Sequence, residues 1–151
     1  MAKAIPEGFH TLTPYISLSD AAKAIEFYKE ALGATEVYRL SMPGGKIAHA
    51  ELRIGDSHLM VADEMPAWGN KSAKSMGGTP VALTVYSENV DALAERFVKA
   101  GGKLVRPVKT QFYGDRTGQF EDPEGYRWSL SQHVEDVSVE EMKRRMEKMG
   151  A

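Results

Sequence analysis

The feature that most constrains this chain is an internal repeat. Laid on itself with an offset of 69 positions, the sequence brings Asp20 onto Asn89, Tyr28 onto Phe97 and Gly33 onto Gly102. Self-similarity at one long period means one supersecondary unit used twice. Thr13–Asp20 alternates apolar and polar residues, as a half-buried strand does. From Asp20 to Leu32, residues Ala21, Ala24, Ile25, Phe27, Tyr28 and Leu32 fall at helical spacing. Asp20 is placed to cap the first turn and Gly33 to end the last. Glu36–Ser41, Lys46–Ile54 and His58–Ala62 read as three strands, parted by Pro43-Gly44-Gly45 and Gly55-Asp56. The second unit repeats the order: strand Val81–Tyr86, helix Val90–Ala100, then strands Leu104–Pro107, Gly118–Asp122 and Tyr126–Gln132.

The expected fold class is therefore α+β. Two tandem β-α-β-β-β modules, 10–63 and 81–133, form a curved mixed sheet around a cleft within a single domain, 1–151. Glu64–Pro80, rich in Gly, Ser, Lys and Pro, reads as a hinge without structure of its own. Ser138-Val139-Glu140-Glu141 is a capping box that opens a C-terminal helix over 138–149. Val139, Met142, Met146 and Met149 line one side of it, to dock on the domain or to meet a second subunit.

Composition narrows the function. The 151 residues carry a net charge of −2, which argues against partners bound through phosphate neutralisation, so neither a nucleic acid nor an anionic membrane is expected. There is no cysteine, which excludes disulfides, thiol nucleophiles and Cys-based metal centres. No apolar run approaches the ~20 residues of a membrane span, and a cytoplasmic location is the expectation.

Period-two alternation sorts the strand residues into two faces. Ile16, Leu18, Ala50, Leu52, Ile54, Leu59, Val61, Val81, Leu83, Val85, Trp128 and Leu130 should meet the helices. Thr13, Tyr15, Ser17, His49, Glu51, Arg53, His58, Met60, Ala82, Thr84, Tyr86, Arg127, Ser129 and Ser131 form the other face. That second set mixes hydroxyls, rings and charges, as a cleft for a small molecule does.

Four phrases then carry a family resemblance: Ala24-Ile25-Glu26-Phe27-Tyr28, Ile47-Ala48-His49-Ala50-Glu51, Gln111-Phe112-Tyr113-Gly114-Asp115-Arg116 and Asp122-Pro123-Glu124-Gly125-Tyr126-Arg127-Trp128. Through them residues 10–133 resemble the vicinal oxygen chelate superfamily of glyoxalase I, extradiol dioxygenases and bleomycin-resistance proteins, in its PhnB-like branch. The resemblance implies paired β-α-β-β-β modules and a homodimer. Metal-dependent relatives hold their ion with His or Gln on the first strand of each module and Glu on the last. Carried over, those positions are Thr13, Met60, Ala82 and Ser129, none of them an ordinary divalent-metal ligand. The expectation is a cleft without a metal cofactor.

The expected function is binding of a small organic molecule, with Tyr15, Arg53, Met60, Tyr86, Tyr113, Arg116 and Ser129 as contacts. Tyr113 and Arg116 belong to a segment, Thr110–Thr117, that reads as a loop. Arg116 could clamp a carboxylate or phosphate through its two-pronged guanidinium. The alternative is a lyase or isomerase in which His49 and Glu51, two apart on one strand, move a proton, with or without a non-standard divalent metal. That pair needs a third group, and His58 is the nearest candidate. Trp68, in the hinge, reads equally as a lid or an anchor.

Overall fold

A computed structural model describes residues 1–150. Module one comprises β1 (Tyr15–Leu18), α1 (Ala21–Leu32), β2 (Thr35–Ser41), β3 (Ile47–Ile54) and β4 (Ser57–Asp63). After a short α2 (Ala73–Met76), module two repeats the order as β5 (Ala82–Tyr86), α3 (Val90–Lys99), β6 (Lys103–Thr110), β7 (Asp115–Glu121) and β8 (Arg127–His133). A last helix, α4, spans Val139–Lys148. The strands make two separate four-stranded sheets, ordered β1-β4-β3-β2 and β5-β8-β7-β6. In each, the first strand of the module runs parallel to the last, because the helix crosses over between them, and the remaining pairs are antiparallel.

The helices follow from their caps. Asp20 accepts from the Lys23 amide and Asn89 from the Ala92 amide, each meeting a donor that its helix leaves free. Gly33 ends α1 at φ +66°, a backbone conformation that costs glycine nothing. Its amide bonds the Lys29 carbonyl, and the Arg96 side chain from α3 bonds the carbonyls of Glu30 and Lys29. Those carbonyls lie at the negative end of α1, so a cation there is favoured twice over.

One core serves both modules. Phe27 and Phe97 meet edge to face at 5.2 Å, Tyr28 packs on Trp128, and Leu18, Leu52, Val61, Phe120 and Leu130 close around them. Each large ring buried there contributes on the order of 2–3 kcal/mol. Both apolar sheet faces are thereby used up on the helices. The polar faces stay partly open to solvent, with Tyr15 and Tyr86 about half exposed or more.

Buried carboxylates fasten the layers. Asp122 accepts from Tyr28 Oη (2.6 Å), Trp128 Nε1 (2.8 Å) and the amides of Glu124 and Tyr126. Burial outweighs those donors and pushes the Asp122 carboxyl up; burial, then the neighbouring Asp122, raises the Tyr28 phenol. Glu124 reaches into module one, accepting from the amides of Ser19 and Asp20 and from Ser19 Oγ. Asp63 ties the starts of α1 and β3 to the end of β4 through the amides of Ala21 and Ile47.

Two expectations are corrected. The connector 64–80 is structured: Met65 and Asn70 bridge across a helical turn at Pro66–Trp68, and α2 is capped by the buried Ser72, which also donates to Glu64. Composition hid this, because the glycines and serines there serve as caps rather than as slack. Half of Thr110–Thr117 is strand: Thr110 pairs with Arg116 and Lys109 with Thr117, with Gln111–Gly114 as the turn between.

Candidate functional site

Strand register builds the polar face of module one row by row. Tyr15 pairs with Met60, Met60 with Glu51 and Glu51 with Tyr38, so these four side chains cross the sheet in a line. In the next row His49 lies opposite Leu40, and its ring sits 5.7 Å from that of Tyr15 and 5.8 Å from that of Tyr38. On the other side Arg53 pairs with His58. The result is a shelf of three rings over a thioether and a carboxylate.

The expected His49–Glu51 pairing is not what this shelf contains. His49 is engaged with the tyrosine rings, while Glu51 accepts from Tyr38 Oη at 3.1 Å and faces His58 Nδ1 at 3.8 Å. The latter separation is too long for a hydrogen bond. His58 is covered by Phe9, stacked on it at 4.0 Å, and its Nδ1 is buried without a partner. Arg53 is exposed and donates to the Gly55 carbonyl.

The polar face of module two has the same rows with different chemistry. Thr84, Ser129, Gln119 and Arg106 cross it in one line, and Tyr86, Ser131, Thr117 and Lys109 in the next. All of these but Lys109 line a cavity of about 360 Å³ together with Gln111, Tyr113 and Asp115. At its rim Asp115 accepts from Tyr86 Oη and bonds His133, both at 2.7 Å, and His133 also reaches Asp136. Burial pushes the Asp115 carboxyl up, but its bonds with His133 and Tyr86 outweigh that and hold it below the usual range. Asp136 and then Asp115 raise the His133 imidazole, and Asp115 raises the Tyr86 phenol. The turn that carries Tyr113 is braced from behind. Gly114 takes φ +100°, and a Cβ there would stand 2.1 Å from the Glu135 carbonyl oxygen, so only glycine fits. Arg145 of α4 bonds the Phe112 carbonyl and Glu135.

The expected contacts thus divide between the two faces. Tyr15, His49, Glu51, Arg53 and Met60 gather on module one, Tyr86, Tyr113 and Ser129 on module two. Arg116 joins neither: it alternates with Asp115 along β7, points to the helix side and forms a two-pronged pair with Asp91 at the start of α3. Tyr38, Arg106 and Gln119 are additions. A β-bulge between Glu36 and Tyr38 shifts the alternation that would have revealed Tyr38. Trp68 is 74% exposed.

The donors at the four metal positions do not fit a divalent ion. Thr13 and Ser129 bring hydroxyls, Met60 a thioether and Ala82 a methyl. Among the described residues no three His, Asp or Glu side chains converge as a metal site requires.

A second cavity, about 610 Å³, draws its walls from both modules. It runs between the modules along the unpaired edge of β5, from Leu83 to Ser87, and is walled opposite by Thr13, Pro14 and His58. Side chains from both faces of β5 line it, as expected where a strand edge stands open. Among the described residues no helix is long and apolar enough to cross a membrane.

Comparison with known proteins agrees with this architecture. The uncharacterized protein Mb0911c of Mycobacterium bovis is 40% identical over 142 residues, 92% of this chain and 93% of its own length. A probable lactoylglutathione lyase of Synechocystis is 29% identical over 126 residues, covering 82% and 92%. The crystal structure of TnmS3, an antibiotic binding protein from Streptomyces sp. CB03234, superposes with a TM-score of 0.63 at 24% identity, covering 88% of this chain and all of that one. The family model described as the Glyoxalase/Bleomycin resistance protein/Dioxygenase superfamily matches residues 9–130, and the chain belongs to that superfamily.

Proposed function

We propose that this protein binds a small organic molecule between polar sheet faces of the glyoxalase type and does so without the superfamily metal. One observation carries the reading: both faces keep rows of rings, hydroxyls and amides, while the four metal positions hold Thr13, Met60, Ala82 and Ser129. TnmS3, which shares the fold, is named as a binding protein. Tyr15 and Met60 supply the apolar wall, and Tyr86, Tyr113 and Ser129 the hydrogen-bonding one.

The working unit is a homodimer. Within one chain β1 and β5 each end a sheet with an open edge. A second copy related by a two-fold axis brings module one of each chain against module two of the other and covers those edges. Light scattering on the purified protein should give twice the chain mass.

Metal analysis of protein purified without chelator, then soaked with zinc, nickel, manganese and iron, tests the metal-free reading. It should find each metal well below one equivalent, while small organic molecules still raise the melting temperature. One equivalent of a single ion would overturn it. A second reading, a lyase or isomerase, is favoured by the proximity of Glu51 to His58 and by the Synechocystis relative. Here Glu51 would take a proton from a carbon or oxygen of the substrate and return it elsewhere. Loss of turnover by ~10² in Glu51→Gln, with affinity kept, would favour it.

A further inference from the structure

From Glu51 and its surroundings we infer that the module-one face selects an organic cation, a primary ammonium or amidinium carried on a flat or apolar body. The inference rests on the small-molecule reading above and names the ligand's charge. Glu51 has a side chain only 13% exposed and one hydrogen bond, from Tyr38. Among the described residues it has no Lys or Arg partner; Arg53, two residues on along the same face, donates to the Gly55 carbonyl, and Arg39 is held by Glu36. A carboxylate taken out of water and left without a cation is costly, and proteins keep such a group where a ligand supplies the charge.

Two further observations point the same way. His58 has a side chain 10% exposed, and its Nδ1 is buried, unpartnered and 3.8 Å from Glu51 Oε2. With Nε2 carrying the proton, Nδ1 and Oε2 are two acceptors side by side with no protein donor between them. A group with two or more N–H bonds on one centre satisfies both; a hydroxyl satisfies one. The rings of Tyr15 and Tyr38 flank His49 on the same face, Tyr38 bonded to Glu51, and tyrosine ring faces attract cations. Module two shows the contrast: its buried-side acid, Asp115, already has Tyr86 and His133.

The test uses benzamidinium and its neutral counterpart benzamide, titrated into the purified full-length protein and followed by NMR at a pH where benzamidine is charged. Benzamidinium should bind about tenfold more tightly than benzamide, as a charge-assisted pair of hydrogen bonds requires. Glu51→Gln, which keeps an acceptor for Tyr38, should abolish that preference without lowering the melting temperature. Equal binding of the two probes, or a preference that survives Glu51→Gln, would overturn the inference and leave the small-molecule reading standing. So would ¹⁵N shifts showing His58 Nδ1 protonated and bonded to Glu51 in the free protein, because His58 would then be the cation. If neither probe perturbs any face resonance, both readings fall.

Discussion

Across module one the middle row of the polar face reads Tyr15, Met60, Glu51, Tyr38; across module two the same row reads Thr84, Ser129, Gln119, Arg106. The positions are equivalent in the repeat, and the strands pair in the same order. The side chains have nothing in common. Beneath them the core positions stayed alike: Leu52 and Phe120, Val61 and Leu130, Tyr28 and Phe97 are all buried. Packing tolerates little change in a buried volume, whereas an outward-facing position is constrained only by what lies against it. The acids differ most. Asp115 on module two has a phenol and an imidazole, while Glu51 on module one has a phenol and an imidazole nitrogen out of reach. Module two is chemically complete as it stands, and module one is not.

The largest effect comes from removing what holds both faces in place. Asp122→Ala strips the acceptor from Tyr28, Trp128 and two amides at once, and should cost about 3 kcal/mol or more. For a chain of this length that lowers the melting temperature by roughly 6–12 °C, measurable by calorimetry. It should weaken ligand binding on both faces together. A loss confined to one face would show that the modules are held independently.

The comparison itself is sharpened by paired substitutions. Tyr15→Ala and His49→Ala break the ring shelf and should weaken benzamidinium binding by about tenfold, whereas Thr84→Ala on the equivalent strand of module two should change it by less than about threefold. Titration of each variant at constant pH checks this. A reversed order would move the cation site to the other module.

A smaller effect is expected at the rim of module two. Asp136 and Asp115 raise the folded-state pKa of His133, so their contribution to stability is complete below the ordinary value of 6.5 and is lost as pH rises through the raised one. Asp115, held low, contributes above the usual carboxylate range and loses that contribution only in acid. The melting temperature should therefore fall as pH rises above about 6.5, and His133→Gln should flatten that decline. An unchanged slope would mean the tie is absent in solution. Smallest of all, Arg116→Ala should leave binding on both faces unchanged, because its guanidinium belongs to Asp91 on the helix side.

Much of the fold was legible from local rules. The caps at Asp20 and Ser138 each take the amide three residues on, and the apolar set chosen by alternation, all but the exposed Val81, is the set that meets the helices. Those signals are short-range and stereochemical. The site was legible by face but not by partner. Alternation put His49 and Glu51 on one side, yet ring stacking took His49 and cross-strand register brought His58 to Glu51. Arg116 was hidden by reading Thr110–Thr117 as a loop, where parity has no meaning; as strand, neighbours must face opposite ways. Asp122 and Tyr28 lie 94 positions apart, and nothing local joins them.

The alternation along β3, β4, β7 and β8 has a consequence for how such a protein changes over generations. Residues that decide whether the chain folds and residues that decide what it holds occupy the same strands but never the same positions. Replacing a ring by a hydroxyl on the outward side costs the interior nothing. A duplicated unit of this kind can therefore drift toward new ligands one half at a time, with its thermal stability as a bystander.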